Sequence, residues 1–378
     1  MKKRQISRLK AYETDASRIK GKVSSVIFPK TVMEVREAVV RAERIVSRGG
    51  GSGFSGGAIS LNGEDVILNL SSLDGIGNFD LERRYIEVEA GVILSDLQDY
   101  LEKYGLELPI NLTSRRICTI GGMIATNAFG SRVQKYGRMA NWIRWVEVVD
   151  GNGEVNRSGA TELSDYVGME GITGVIVKAC LNLFPIKKRS ASLFEFNTFE
   201  EVLLKVSSLK REQNISMIEF LDLRISKFLG LKSCYNLIVE YEGSLEGNEG
   251  ITDYKYEDLM ELLDRIYSVV AIGGYTRIED IKILGNRIPS LIEWFERRGI
   301  PYFGHLGVGV IHPCFNRDQE KYILEMIKIV KRLGGQISGA YGIGLLKKEF
   351  VEINDLKIWT NVKRRTDPQN KFNIGKVI

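Results

Sequence analysis

The sequence predicts an α+β fold built from more than one domain, and three observations carry that expectation. At 378 residues the chain exceeds what one hydrophobic core usually organises. A glycine-dense run, "VSRGGGSGFSGGAIS" (Val46 to Ser60), stands between an amphipathic helical pattern and a strand pattern. Beyond the basic stretch "IKKRSA" the pattern changes to strand–helix–strand, then strand and helix.

Taken in order, the first helix opens at Thr31-x-x-Glu34, a capping box that satisfies free amides of the first turn, and runs through "VREAVVRAERI". After the glycine run, "NGEDVILNL" reads as a turn and a strand. "YIEVEAGV" and "LELPI" are strand patterns flanking a helix from the capping box Ser95-x-x-Gln98 to Tyr104, with Gly105 as its stop. "VEVVDGNGEVNR" reads as a hairpin turning at Gly151-Asn152-Gly153. "GMEGITGVIVKACLNLFP" (Gly168 to Pro185) is a glycine turn feeding an apolar β-branched strand. Past the linker, "SLFEFNTFEEVLLKVSSLKR", "ISMIEFLD", "YNLIVEYEG" and "YKYEDLMELLDRIYSVV" form an α+β unit over roughly 186–335.

Composition narrows the class. The chain is 44% hydrophobic and 27% charged, with a net charge of +5 and a mean hydropathy of −0.10. No run approaches the ~18 apolar residues of a membrane-spanning helix, and the basic N-terminus "MKKRQISRLKAYETD" lacks the apolar core of a signal peptide. A cytoplasmic location is expected. The basic clusters "MKKR", "IKKR" and "VKRR" read as solvated faces, with peripheral contact to an anionic inner membrane face as the second reading. No basic stripe interleaves with aromatics, which argues against nucleic acid as a partner. Cys118, Cys180, Cys234 and Cys314 are scattered without a CxxC pair, so a disulfide framework, zinc ribbon or iron–sulfur site is not expected.

Gly51-Ser52-Gly53-Phe54-Ser55-Gly56 formally matches GxGxxG, but a dinucleotide fingerprint follows a strand and opens a helix. Here a helix precedes the loop and a strand follows, so the Rossmann reading fails. A P-loop fails too, for want of Gly-Lys-Ser/Thr. What remains is a nest of inward-turned backbone amides with serine donors, suited to an anion. "CTIGGMIATNAFG" and the turn after Gly168 are further segments of close backbone approach. Three such segments in one domain suggest a long ligand lying across it, such as FAD.

The pieces "SRGGGSGFSGGA", "VEAGV", "TIGGMIATNAFGSRVQKYG", "VEVVDGNGEV", "GMEGITGVI", "FGHLGVGVIH", "ISGAYGIGLLKK" and "TDPQNKFNIGKVI" occur in this order along nearly the whole chain. Together they resemble the FAD-linked 2-hydroxyacid dehydrogenases, the glycolate oxidase flavin subunit and D-lactate dehydrogenase branch of the p-cresol methylhydroxylase / vanillyl-alcohol oxidase superfamily. The resemblance implies a two-subdomain FAD-binding domain of the PCMH type (1–185), an α+β, ferredoxin-like cap for the substrate (186–335), and a C-terminal segment returning to the flavin (336–378). It implies that Arg48, Gly49, Gly50, Gly51, Ser52, Gly53, Ser55 and Gly56 wrap the pyrophosphate. Pro109, Thr119, Gly121, Gly122 and Asn127 would line the flavin. Gly168, Glu170, Gly171, Gly174 and Ile176 would hold the adenosine side, with Asn373 in the returning segment. Ser52 stands where covalent members carry a histidine, so FAD is expected to be non-covalent.

The resemblance also implies hydride transfer from a small D-2-hydroxy acid to flavin N5. That chemistry needs a base for the hydroxyl proton and an arginine for the carboxylate. Both histidines of the chain fall in "HLGVGVIH", His305 to His312. They could be a metal site, a proton-transfer pair or a coincidence in a core strand. In a straight strand they would face opposite sides, and only a bulge or turn at Gly307 or Gly309 would bring them together. Metal-using relatives place Asp and Asn where this chain has Val308 and Val310, and a Glu ligand and a His base where it has Ala340 and Tyr341. The candidate catalytic residues are His305, Tyr341, His312 and, for the carboxylate, Arg287, with Arg277 as fallback. A divalent metal on His305 and His312 would need a further carboxylate such as Glu219. Lys347 matches a basic residue of the family or is a solvated lysine. The partners implied are a 2-hydroxy acid and an electron acceptor (a quinone, an electron-transfer protein or an iron–sulfur partner), with oligomerisation left open. Two other outcomes remain: a flavin-binding subunit that has lost this chemistry, and a related flavin alcohol oxidase.

Overall fold

The computed structural model describes residues 9–243 and 255–378. The basic tetrapeptide "MKKR" and Tyr254 lie outside them. Among the described residues no helix is long and apolar enough to cross a membrane.

The N-terminal half holds two larger sheets and a two-stranded pair, β6 (Leu106–Glu107) with β10 (Phe184–Pro185). Strands β1 (Ser25–Ile27), β2 (Ile45–Arg48) and β3 (Val66–Asn69) pair in parallel in the order β1-β3-β2. Helix α1 (Val32–Arg41) packs Val35, Ala38 and Val39 against them. Its cap is the expected Thr31, whose side chain accepts from Glu34 N; the reciprocal bond runs from Lys30 N to Glu34. β2 corrects one expectation. Four residues of strand intervene between α1 and the glycine loop, because Ile45 and Val46 are buried and extended beside β3. No helix follows the loop, so the arrangement is still not a Rossmann turn.

The second sheet runs β4 (Ile76–Asp80), β5 (Tyr85–Glu89), β9 (Val175–Asn182), β7 (Ile143–Val149), β8 (Val155–Gly159), all antiparallel. β7 and β8 are the expected hairpin. Helix α2 (Leu94–Glu102) buries Leu94, Leu97 and Leu101 on this sheet, and Gly105 (φ 68°) ends its last turn. The expected Ser95–Gln98 capping box is absent. The N-cap lies two residues earlier, at Ile93, and Gln98 instead donates to the Ile110 carbonyl (3.3 Å). Short helix α3 (Ile120–Ala125) opens at Thr119, whose hydroxyl accepts from Gly122 N (3.3 Å). All four cysteines are buried and free.

β10 (Phe184–Pro185) closes this half, and β11 (Arg189–Phe196) begins a larger sheet. Helix α4 (Phe199–Leu209) links β11 to β12 (Ile215–Leu221), and β13 (Tyr235–Glu242) pairs antiparallel between them, a split βαβ unit. The sheet continues through β14 (Tyr302–His305) and β15 (Val310–Phe315). One face is covered by α4 with two later helices, Ile288–Arg297 and Ile323–Arg332. The other carries α5 (Leu223–Phe228) and α6 (Tyr256–Ile272). The chain then returns: Phe372 bridges Ile45 of β2 and is fully buried with α1.

Candidate active site

A cavity of about 470 Å³ lies between the glycine loop, the turns after Asn111 and Thr119, helix α6, and the β14–β15 hairpin. Its floor is backbone. A Cβ on Gly49 would fall 2.1 Å from Thr119 Oγ1, and one on Gly50 only 1.8 Å from the Ile117 carbonyl oxygen. Only glycine lets the two segments approach this closely. Ser47, Ser52, Gly53 and Ser55 also line the cavity, and the buried Ser47 hydroxyl has no hydrogen-bond partner.

Of the residues expected to hold FAD, Gly49, Gly50, Gly51, Ser52, Gly53, Ser55, Thr119, Gly122 and Glu170 line this cavity. Arg48, Gly56, Pro109, Gly121, Asn127, Gly168, Gly171, Gly174, Ile176 and Asn373 stand outside the lining. The Arg48 guanidinium donates to the carbonyls of Ala58 and Thr14 (both 3.0 Å), bracing the loop. Asn373 donates to the Glu170 carbonyl (2.6 Å).

The histidines meet at the hairpin. Gly309 adopts φ 73°, and a Cβ there would fall 2.2 Å from the Ile283 carbonyl, so the tight turn depends on glycine. The register pairs Phe303 with His312 and His305 with Val310, which sets both imidazoles on one face. Their centroids are 5.3 Å apart at 88°. His305 Nδ1 is hydrogen-bonded to Glu219 Oε1, from the neighbouring strand β12. His312 is stacked on Tyr341 (4.9 Å) and packed on Phe303 (5.0 Å), and its Nδ1 has no partner. Burial, with His305 nearby, holds His312 well below its ordinary pKa, so it is neutral. Burial likewise keeps the Tyr341 phenol protonated, well above its ordinary value; its hydroxyl bonds that of Tyr267 (2.7 Å).

Two buried carboxylates hold the loop that carries Tyr341. Asp280 Oδ2 accepts from the backbone amides of Gly339 (2.6 Å), Ala340 and Tyr341 (2.8 Å), while Oδ1 meets Lys347. Glu170 accepts from Ile343 N (2.6 Å) and Gly344 N (2.9 Å). Its own pKa is pushed up to about 7 by burial, which those amides partly oppose. Lys347 is therefore a buried ion-pair partner, not a solvated lysine.

Arg287 does not reach the site. It is an exposed side chain donating to the Leu333 carbonyl at the end of a helix, and Arg277 is paired with Glu279. Neither lines the cavity. The arginines that do are Arg115, bonded through both terminal nitrogens to Asp264, and Arg132, bonded to Glu240 (2.8 and 2.9 Å). Sequence reading missed these, together with Phe54, Tyr256, Met260, Leu263 and Tyr267. The last four recur at helical spacing on α6, so a periodicity argument would have grouped them, though not assigned their face to a cavity. For a metal the donor set does not fit. Among the described residues no group of three or more His, Cys, Asp or Glu is placed to hold one. Ala340 offers no donor, and the Glu219 oxygen nearest the pair is engaged by His305.

Comparison with known proteins agrees with this architecture. Residues 23–159 match the FAD binding domain and residues 252–377 the C-terminal domain of FAD linked oxidases. The chain is 29% identical to a D-lactate dehydrogenase of Archaeoglobus fulgidus, over 88% of this chain and 86% of that one. It is 26% identical to a D-2-hydroxyglutarate dehydrogenase of Xanthomonas citri pv. viticola (93% and 89% covered). It is 27% identical to the glycolate oxidase subunit GlcD of Bacillus subtilis (93% and 88% covered). The glycine cradle, which a Cβ would fill, and the orphaned Ser47 hydroxyl fit FAD as the occupant.

Proposed function

Because the chain carries both domains of the FAD-linked oxidases and belongs to their 2-hydroxyacid dehydrogenase branch, we propose that it oxidises a small D-2-hydroxy acid of the D-lactate or glycolate kind to the 2-oxo acid. FAD supplies the two-electron acceptor for that oxidation when bound. Gly49 to Ser55 would hold its phosphates by backbone amides and serine hydroxyls, non-covalently, since Ser52 offers no imidazole.

The observation that carries the reading is the His305–Glu219 pair at the cavity. Glu219 occupies Nδ1 and fixes the ring, which leaves Nε2 to take the substrate's hydroxyl proton. Tyr341, held as a neutral phenol, donates or accepts a hydrogen bond at the substrate and does not act as the base. Arg132 Nη1 makes no hydrogen bond among the described residues, with Glu107 3.7 Å away, and is the guanidinium nitrogen that would meet the substrate carboxylate. Phe54, Tyr267, Phe303 and Tyr341 form an aromatic wall that excludes water. His312 is a neutral packing partner that orients Tyr341. Electrons would leave to a quinone, an electron-transfer protein or an iron–sulfur partner, and we place the protein in the cytoplasm, at most peripheral to the membrane.

Anaerobic titration of the yellow protein with D-lactate, L-lactate and glycolate tests the reading. Bleaching of the flavin band by a D-acid or by glycolate supports it. Because the buried Tyr341–Tyr267 pair also suits a less acidic substrate, bleaching by alcohols alone would select a flavin alcohol oxidase. A flavin that neither class bleaches would select a non-catalytic flavin subunit.

A further inference from the structure

We propose that the site selects 2-hydroxy acids that carry one carboxylate and an extended apolar side chain, and that it rejects dicarboxylates; this rests on the 2-hydroxyacid reading above. Among the described residues lining the cavity, the cations are Arg115 and Arg132. Arg115 spends both terminal nitrogens on the two oxygens of Asp264. Arg132 gives Nε and Nη2 to Glu240, which Arg189 also approaches at 3.7 Å; its Nη1 lies 3.7 Å from Glu107, past hydrogen-bond length, and makes no hydrogen bond among the described residues. His305 is committed to Glu219. Both lining arginines are thus already charge-paired, and Arg132 Nη1 is the nitrogen assigned to a single substrate carboxylate.

What lies beyond that nitrogen is apolar. Tyr256, on the first turn of α6, touches Arg132 Nη2 (3.2 Å), so the helix begins at the clamp and leads away from it. Along that helix Met260, Leu263, Ile266 and Tyr267 face the cavity, with Phe303 and Phe54 completing the wall. The remaining charged residues of the lining, Asp264, Glu219 and Glu170, are acidic. A second carboxylate, as in 2-hydroxyglutarate, would lose water, gain no cation and approach like charge. An alkyl side chain would gain about fourfold in affinity for each methylene buried.

The experiment uses the FAD-loaded protein and two readouts. Rates of anaerobic flavin reduction are compared for D-lactate, D-2-hydroxy-4-methylpentanoate and D-2-hydroxyglutarate. Calorimetric Kd values are compared for the matching products, 4-methyl-2-oxopentanoate and 2-oxoglutarate. We expect the branched acid to exceed D-lactate, and the dicarboxylate to trail the branched acid by about 100-fold or more in both readouts. Leu263→Arg should narrow that gap at least tenfold by supplying the missing cation. A dicarboxylate bound or oxidised within about tenfold of the branched acid by the unaltered protein overturns the proposal, as does an unchanged gap in folded Leu263→Arg. Failure of every 2-hydroxy acid to reduce the flavin would instead overturn the reading on which it rests.

Discussion

His305 and Glu219 sit opposite each other on adjacent antiparallel strands, joined by a hydrogen bond from imidazole Nδ1 to carboxylate. Burial raises Glu219 above the usual carboxylate range, and the facing imidazole pulls it back. Replacing His305 by Ala should slow flavin reduction by ~10²–10⁴-fold, the usual worth of a general base. Glu219→Gln should slow it by about tenfold or more with little change in substrate Kd, because the ring loses its orienting partner and not its place. The double variant should be no more than about twofold slower than His305→Ala alone, since the two act as a unit. Stopped-flow reduction across pH checks all three; additive losses would separate the residues.

Tyr341 gives a contrasting expectation. Its phenol stays protonated well past neutrality, so Tyr341→Phe removes one hydrogen bond and no base. Flavin reduction should fall by about tenfold at most, and the pH profile of the rate should keep its shape. Disappearance of a limb in that profile would make Tyr341 the proton acceptor.

Much of this geometry was legible in the sequence, and what was not shares one physical cause. The glycine loop, the β7–β8 hairpin and α1 follow from local pattern: close approach, turn chemistry and a cap. The condition set on His305 and His312, a turn at Gly307 or Gly309, is met by the turn at Gly309. Arg287 was misplaced because a solvated helix-end arginine and a clamp read alike in sequence. Glu219, Arg132 and Asp280 owe their positions to strand register and to contacts between distant segments, such as the 108-residue separation of Arg132 and Glu240. No window of sequence encodes such contacts. The four-residue strand ending at Arg48 was hidden for the same reason: its partner, Val66–Asn69, lies beyond the glycine loop.

The glycine cradle is testable through the cofactor alone. At Gly50 a methyl group would lie 1.8 Å from the Ile117 carbonyl oxygen, so Gly50→Ala forces the loop off its floor. A loss of about 10–100-fold in FAD affinity is expected from ~1–3 kcal/mol of overpacking, with far-UV circular dichroism unchanged. In the unaltered protein, acid or heat denaturation should release all the yellow colour into the supernatant. Flavin that stays with the precipitate would mean a covalent bond.

Asp280 holds three successive amides and Lys347 together from inside the fold. Burial alone would lower Lys347, but Asp280 and Glu279 more than offset it. Asp280→Asn leaves Glu279, at 3.3 Å, as that lysine's one carboxylate partner and weakens the loop bearing Tyr341. A loss of ~3–5 kcal/mol is expected for breaking a buried pair, read as a lower thermal midpoint. The loop also receives the Ser55 hydroxyl on the Tyr341 carbonyl (2.7 Å), so FAD should dissociate at a lower temperature as well.

Lys376 links the returning segment to stability through pH. Its ammonium is buried, donates to the Gly57 carbonyl (2.8 Å), and is lowered by burial to about 7, against an ordinary value of 10.5; Asp65 and Asp15 oppose the shift. Between those values the unfolded chain binds a proton that the folded chain does not. Stability therefore rises with pH across that window, by at most about 1.4 kcal/mol per unit, and the gain is absent below pH 7. Glu170, raised to about 7, acts oppositely: its folded form holds the extra proton, so its contribution is lost as pH rises from about 4.5 to 7. Comparison above pH 7 isolates the lysine. In Lys376→Met the buried charge is gone, so urea unfolding at pH 7, 8 and 9 should show a flatter rise than the unaltered protein. The advantage of the unaltered protein should grow with each unit, and the same offset at all three pH values would show that Lys376 keeps its proton in the fold.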